Sequence, residues 1–261
     1  MAGEERLSRD AIMRLPVEDR GPWISTRSGG MWSLVFPAPE DVKLVDIAAG
    51  LSRECRYGGQ LRDDVELYSV AEHSVLMTEW AMKNDPSLKM QDALFILMHD
   101  ASEAYLGDMT SPLKRMLPDF QDIEATAEAA IHDAFRLHPG DVTMSKRQLK
   151  DLDEAIRIDE VQQVAQDPAR LLSLDILSDG GRTPPLGVTI RGLAPNEARQ
   201  EFMGCIQKIC EVCPFYEHHV ALRADLHDIA TRDIARMQSI RCDADFRRDE
   251  ALKSGEPAFT F

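Results

Sequence analysis

A small group of residues in this 261-residue chain could bind a divalent metal ion. His99 and Asp100 follow the apolar run Leu94–Met98, and a histidine and a charged aspartate at such a place are costly to bury without partners. Because neutral imidazole and carboxylate both bind divalent cations, an ion would satisfy both side chains. Two adjacent ligands do not complete a metal site, so other segments must supply the rest.

His73 and Asp153 are the candidates for the remaining ligands. His73 lies on the preceding predicted helix, and two helices with a short connection pack antiparallel, so its imidazole can meet that of His99. On a later helix, Asp153 is predicted to point toward the core. There it shares a helix face with three apolar residues and one carboxylate, which are Leu149, Leu152, Ile156 and Glu160.

Less specific interpretations apply to several of these features. A His-Asp pair is frequent by chance, and a single inward histidine is more often a hydrogen-bonded core residue than a ligand. The second such pair, His227-Asp228, has no apolar run before it and is interpreted as part of a surface helix. Cys210 and Cys213, with Cys205 upstream, have half the spacing of a zinc site, but in a helix they are expected to act as small apolar residues.

The elements that must position the candidate ligands are predicted to be helices. Ser69 and Glu72 have the spacing of a capping box and open a helix that runs to about Lys83. A helix covering residues 90–106 is predicted to stop at Gly107. A further short helix is predicted from about Val42 to near Gly58-Gly59, and other helices are predicted over residues 119–137, 145–165, 196–208 and 216–238.

One β-hairpin is predicted near the N-terminus, because Gly29-Gly30 separates two short apolar runs within residues 22–39. The predicted fold class is therefore all-α, a helical bundle with a short N-terminal hairpin arm. A single domain is expected. Its parts are an arm (1–39), a core (40–215) and a C-terminal helix and tail (216–261).

Composition restricts the partners and the compartment. The chain has 45 acidic and 30 basic residues, a net charge of −15, which disfavours binding to nucleic acid. Five cysteines, an odd number, argue against a disulfide framework and for a reducing compartment. With neither a signal peptide nor a membrane span recognisable, a cytoplasmic location without membrane contact is expected.

Two segments resemble a known family. Residues 99–108 read His-Asp-Ala-Ser-Glu-Ala-Tyr-Leu-Gly-Asp, and residues 68–74 read Tyr-Ser-Val-Ala-Glu-His-Ser. Together with the Asp153 and Glu160 spacing, they resemble the HD-domain phosphohydrolases, specifically the bacterial 5′-deoxynucleotidases and their phage-type dNTP phosphohydrolase relatives. The resemblance extends over residues 40–215 and implies that the helical bundle is an HD domain.

The resemblance implies that His73, His99, Asp100 and Asp153 bind one divalent ion, for which Mn, Co, Zn, Fe, Ni and Mg are candidates. Glu103 would hold the water that the ion activates, or exchange a proton with it. On a continuous helix Glu103 would also share a face with His99, four residues earlier. A solvated acidic residue is the alternative interpretation of Glu103.

The family also implies residues that contact the substrate. Asp108 would lie beside the sugar or assist proton transfer, and Arg56 and Tyr57 would lie near phosphate and sugar. Tyr57 replaces the tryptophan of the best-known branch. Ser111 and Lys114 occupy a Thr-Pro-x-Lys position and would meet a phosphate. A surface arginine is the alternative for Arg56, and plain core packing is the alternative for Tyr57.

Three functions agree with these features. The favoured one is a 5′-nucleotidase that hydrolyses dNMP to deoxynucleoside and phosphate. The alternatives are a dNTP triphosphohydrolase and an HD-fold interaction protein without activity. Additional phosphate contacts are expected among Arg27, Arg62, Lys114 and Arg115.

Two hypotheses concern the ends of the chain. The hairpin arm is hypothesised to cover the pocket and read the base through Trp23, Trp32 and Phe36. The C-terminal helix is equally suited to a homodimer contact or to packing on its own domain.

Overall fold

The computed structural model describes residues 8–174 and 183–254, with side chains up to residue 241. It is mostly helical, at 62% helix, with eleven α-helices in the described residues. They are α1 (Arg9–Ile12), α2 (Leu44–Leu51), α3 (Val70–Asn84), α4 (Met90–Leu97), α5 (Glu103–Leu106), α6 (Ser111–Lys114), α7 (Pro118–Phe135), α8 (Lys146–Val164), α9 (Pro168–Ser173), α10 (Pro195–Val212) and α11 (Val220–Ser254). None of the described helices is both long and apolar enough to cross a lipid bilayer.

The predicted hairpin is confirmed as a small antiparallel sheet of β1 (Trp23–Ser25) and β2 (Met31–Ser33). Trp32 is fully buried and its ring stacks on that of Tyr105 in α5, with the centroids 3.9 Å apart. A side chain enclosed in this way cannot read a base, so the hypothesis for Trp32 is wrong. The hairpin thus packs against α5 through the stacked rings of Trp32 and Tyr105.

Of the capping box predicted at the start of α3, the Ser69 cap is confirmed but the return contact from Glu72 is not. Ser69 Oγ accepts a hydrogen bond from Glu72 N, so Ser69 caps the helix. The Glu72 carboxylate does not return to this cap. It is fully buried and accepts from the backbone N–H groups of Arg191 (2.6 Å) and Leu193 (2.9 Å), so it anchors the strand-like loop before α10.

The single helix predicted over residues 90–106 is wrong, because α4 ends at Leu97 and α5 is a separate short helix. Between them the chain forms tight turns with i to i−3 backbone bonds, such as Glu103 N to Asp100 O at 3.0 Å. Helix α5 packs against α2 so closely that a Cβ on Gly50 would lie 2.6 Å from Ala104 O. The chain therefore turns where the local sequence favours a continuous helix, and α5 packs on α2.

The core lies among α2, α3, α4 and α10, and α11 covers α10 and α2. Arg199 of α10 and Asp233 of α11 form a buried ion pair, and Leu226 and Ala230 are buried nearby. Over its described side chains, α11 therefore packs on its own domain. It also begins later and ends later than the predicted range of 216–238.

Candidate metal centre

Three helical segments bring candidate ligands to one point. His73 projects from α3, His99 from the turn after α4 and Asp153 from α8, and one ligand atom of each lies within 4.8 Å of the others. His73 Nε2 is 3.2 Å from His99 Nε2 and 3.4 Å from Asp153 Oδ1. Asp100 Oδ2 lies 3.1 Å from His99 Nε2 and 3.7 Å from His73 Nε2.

These separations suit atoms that share one ion. Ligands about 2.0–2.2 Å from a metal lie about 3.0–3.5 Å apart when they are adjacent in tetrahedral or octahedral geometry. Two imidazoles and two carboxylates are also a donor set that borderline divalent ions accept. His73, His99 and Asp153 therefore fit a single divalent ion, and Asp100, the fourth predicted ligand, lies close to both imidazoles.

A hydrogen bond at Nδ1 of each imidazole leaves its Nε2 available to bind a metal ion. His99 Nδ1 donates to Ile96 O at 2.8 Å, and His73 Nδ1 lies 2.6 Å from Glu160 Oε1. A proton held on each Nδ1 leaves the Nε2 lone pair free, and both Nε2 atoms face the same point. The pKa of His73 is raised to about 9, since Glu160 and Asp153 outweigh burial and Arg56, which lower it. A bound cation would oppose this protonation.

Glu160 is a central residue of the site that sequence reasoning recognised only by its spacing from Asp153. It is fully buried and accepts from His73, from Tyr68 Oη at 2.8 Å, from Arg56 at 3.2 Å and from the Tyr57 hydroxyl. Burial favours protonation, but Arg56 and His73 outweigh it and hold the pKa of Glu160 well below its usual range. Glu160 is therefore an anion that orients its neighbours.

Arg56 lies among carboxylates. Its guanidinium contacts Asp100 at 3.3 Å, Glu160 at 3.2 Å and Asp153 at 3.9 Å, and its side chain is only 13% exposed. Arg56 thus neutralises and aligns the carboxylates of the site, which sequence reasoning did not anticipate. Tyr57 has a φ of 60°, a conformation rare for a non-glycine residue, and the hydroxyl bond to Glu160 shows more than plain core packing.

Glu103 and Asp108 lie on the same side of the site. Glu103 is carried by α5, so it does not share a helix with His99 as predicted. It is buried, with Oε2 lacking a hydrogen-bond partner in the described structure, and burial together with Asp100 and Asp108 raises the pKa of Glu103 well above its usual value. Burial also raises the pKa of Asp108, against the opposing charge of Arg56.

Ser111 and Lys114 are less directly placed. Ser111 is exposed at the start of α6, and Lys114 Nζ is 2.6 Å from Glu124 Oε1. Among the described contacts, none joins either residue to the four candidate ligands. The charges of Glu103 and Asp100 nevertheless act on Lys114, which places it on the Glu103 side of the site.

Arg27 and Arg62, two of the residues expected to contact phosphate, do not lie at the candidate metal centre, so the expectation is wrong for both. Arg27 Nη1 is 3.7 Å from Asp233 of α11, beside a surface cavity of about 640 Å³ that contains none of the candidate ligands. Arg62 pairs with the exposed Asp64. Arg27 is therefore paired with an acidic residue of α11, and Arg62 with an acidic residue two positions along the chain.

Comparison with known proteins places the chain in a family. It is 32% identical over 208 residues to an uncharacterized protein of Rhodobacter capsulatus, covering 77% of this chain and 96% of that protein. The chain belongs to the family of this protein. It is also 39% identical over 100 residues to the uncharacterized protein YfdR of Escherichia coli, which covers 38% of this chain and 51% of YfdR. No family model matches the chain.

A cleft of about 230 Å³ opens beside the centre and was not foreseen from the sequence. His99 and Asp153 form one wall of it, and the other lining residues are Phe95, Glu128, His132, Lys146, Leu149 and Lys150. Asp153 is therefore not enclosed in the core as predicted, since its side chain is 40% exposed toward this side. The feature of the sequence that points to this cleft is the pair Lys146 and Lys150, which lie one turn apart on the helix that carries Asp153.

The competing features are as expected. The His227 side chain is partly exposed and its Nε2 lies 3.2 Å from Glu211 Oε1, and Asp228 pairs with Arg232 on the surface of α11. Cys205, Cys210 and Cys213 are buried free thiols, and burial raises the pKa of each. Within the described ranges, no group of residues spaced for a metal ion contains a cysteine.

Proposed function

We propose that this chain is a metal-dependent phosphohydrolase of the HD-domain type that acts on deoxynucleotides, with dNMP hydrolysis as its reaction. The observation that carries the proposal is the convergence of His73, His99, Asp100 and Asp153 beside the buried Glu103. A divalent ion held there would supply Lewis acidity, making water more acidic and neutralising charge on phosphate oxygens.

Glu103 is the residue suited to move a proton. Its Oε2 lacks a hydrogen-bond partner among the described residues, and a divalent ion bound nearby would oppose the rise in pKa that burial and Asp100 cause, so that the ionised carboxylate can act as a base. Water that attacks a phosphorus atom must lose a proton, and Oε2 can accept it. Asp108, whose pKa is also raised, lies close enough to act electrostatically on Glu103.

Arg56 and Glu160 have a positioning role in this proposal. Arg56 reduces the repulsion between Asp100, Asp153 and Glu160, which would otherwise resist being held within a few ångströms of one another. Glu160 keeps the proton of His73 on Nδ1. Neither residue needs to touch the substrate to support the reaction.

The cleft beside His99 supports a phosphate-bearing substrate. Lys146 and Lys150 line it, and Lys150, an exposed side chain, has its Nζ 3.5 Å from Glu154 Oε1, a contact that an anion could replace. The carboxylates of Glu128 and Asp153 also line the cleft, so the two lysines would attract an anion once a bound divalent ion offsets these negative charges. The same pair of lysines favours the alternative substrate, a dNTP from which triphosphate would be released.

The test is metal-dependent release of phosphate from a panel of nucleotides. The full chain is freed of metal with chelator, reloaded with Mn²⁺, Co²⁺ or Mg²⁺, and assayed with dNMPs, dNTPs and their ribonucleotide counterparts. Orthophosphate from dNMPs supports the proposal, and triphosphate from dNTPs supports the alternative. Absence of release from every nucleotide with every metal would refute both and leave the interaction-protein hypothesis.

Matched variants distinguish phosphate release by this protein from release by a contaminating enzyme. Asp100→Ala should abolish release, whereas Asp228→Ala, in the exposed pair on α11, should leave it unchanged. Glu103→Gln should keep the metal but slow turnover by about 10²- to 10⁴-fold, the usual contribution of a general base. A Glu103→Gln variant with full activity would show that the proton goes elsewhere.

A further inference from the structure

A second cluster of metal-binding residue types lies away from the centre. Asp141 is in the loop between α7 and α8, and His218 and His219 form the short 3-10 turn (Glu217–His219) before α11. Asp141 Oδ1 is 3.1 Å from His218 Nε2 and 3.2 Å from His219 Nε2. All three ligand atoms lie within 4.8 Å of one another.

The state of His219 needs an explanation that hydrogen bonding does not provide. Its side chain is fully buried, and neither ring nitrogen has a hydrogen-bond partner in the described structure. Nε2 is close to Asp141 Oδ1 but does not have the geometry of a hydrogen bond to it. Buried polar atoms in folded proteins are nearly always satisfied, so an imidazole aimed at a carboxylate in this way indicates a missing partner.

We propose that Asp141, His218 and His219 form a second divalent-metal site that takes Zn²⁺ or a similar borderline ion. Ligands about 2.0–2.1 Å from a tetrahedral Zn²⁺ lie about 3.3 Å apart, which matches the two distances from Asp141. Two imidazoles and one carboxylate favour Zn²⁺, Co²⁺ or Ni²⁺ over Mg²⁺ or Ca²⁺.

The surroundings leave an open coordination position. His219 is fully buried, whereas the nearby charge of Arg136 disfavours an added cation. His218 is 61% exposed, so water can complete the coordination. The alternative is a cluster without metal, held by the hydrogen bond between His218 and Asp141. That bond accounts for the position of His218 but gives the ring nitrogens of His219 no partner.

The position of the cluster assigns it a structural role. Asp141 belongs to the loop that leads into α8, and the histidines mark the start of α11, so an ion would join two segments 77 residues apart in sequence. The same loop is held at Thr143, whose N–H donates to Asp92 at 2.7 Å. An ion at Asp141 would therefore fix the entry to the helix that carries Asp153.

The experiment counts bound Zn²⁺ per chain after equilibrium dialysis at micromolar free Zn²⁺, using the full chain. His218→Ala should remove one ion per chain, with an affinity at that site reduced at least about 10-fold. The control is His227→Ala, another partly exposed histidine with a single carboxylate neighbour, which should remove none. Equal Zn²⁺ content in His218→Ala and the unsubstituted protein would overturn the proposal.

Two further measurements keep this result independent of the phosphohydrolase proposal. The count is repeated in an Asp100→Ala background, where the ion lost on His218→Ala substitution should still be lost. Asp141→Asn, which preserves the shape of the side chain, should reproduce the loss while circular dichroism shows an unchanged helix content. Retention of the ion in Asp141→Asn would equally overturn the site.

Discussion

Replacing Glu160 with glutamine tests how His73 is prepared for a metal ion. Glu160 Oε1 accepts from His73 (2.6 Å) and Tyr68 (2.8 Å), and Oε2 accepts from Arg56 (3.2 Å) and Tyr57. Glutamine keeps the shape but exchanges one of these acceptor oxygens for an NH₂ donor. In either orientation of the amide, that donor faces groups that are themselves donors.

The two orientations have different consequences, and both weaken the site. With NH₂ toward His73, Nδ1 must become the acceptor, the ring proton moves to Nε2, and the ligand atom is blocked. With NH₂ toward Arg56, two donors oppose each other in a fully buried place, because a guanidinium cannot accept. We therefore expect Glu160→Gln to reduce metal affinity by about 10- to 100-fold, or about 1.4–2.8 kcal/mol.

Stability should fall as well, because hydrogen bonds to charged groups contribute about 1.5–3 kcal/mol each and more than one is weakened here. A loss of about 2–4 kcal/mol in the free energy of unfolding is expected, measured by urea denaturation without metal. Metal affinity is measured separately by titration with Mn²⁺, which prefers the carboxylate-rich site over the two-histidine cluster.

The matched control is Asp159→Asn, the neighbouring buried carboxylate on α8. It accepts from the backbone N–H of Gly187 and does not touch His73, so its substitution should lower stability without changing metal affinity. Unchanged Mn²⁺ affinity in a folded Glu160→Gln variant would refute the role assigned to Glu160. An equal affinity loss in Asp159→Asn would show that general destabilisation, and not the orientation of His73, causes the effect.

Three further predictions concern the fold and the ion. Gly50→Ala should destabilise the protein by about 1–3 kcal/mol in urea, since the added Cβ would meet the backbone of Ala104; an unaffected midpoint would contradict this close contact. Asp233→Ala should lower the free energy of unfolding by about 3–5 kcal/mol in the same assay, because Arg199 stays buried without its carboxylate. Replacing both residues by apolar ones should restore most of the lost stability. Addition of Mn²⁺ at about 100 times its Kd should stabilise the metal-free protein by about 2.7 kcal/mol, seen as a higher melting temperature, and the absence of any shift would argue against a native ion.

Local features of the chain were sufficient to predict most of the elements. The Gly29-Gly30 turn predicted the hairpin, and Ser69 marked the start of α3 because a side-chain cap and its amide partner lie within one turn. The 3.6-residue periodicity similarly predicted α7 and α8 to within two residues. These predictions succeed because the interactions that decide them lie within a few residues in sequence.

The break between α4 and α5 shows where local reasoning fails. Residues 90–106 have helical character throughout, yet the chain turns after Leu97 and packs α5 on α2, with Ala104 close to Gly50. The carboxylate of Glu72 is a similar case, since its partners lie about 120 residues away and outcompete the nearby cap. Such contacts leave no periodic signal in the segment itself.

Local sequence patterns predict which segments carry the candidate ligands, because His73, His99, Asp100 and Asp153 stand on elements with recognisable patterns. Helix packing, in contrast, brings Arg56 among their carboxylates, Glu160 to His73, and Asp141 to two histidines near α11. Each of these depends on charges from segments 44 to 104 residues apart. Their interaction energy depends on separation and burial, which exist only once the helices have packed.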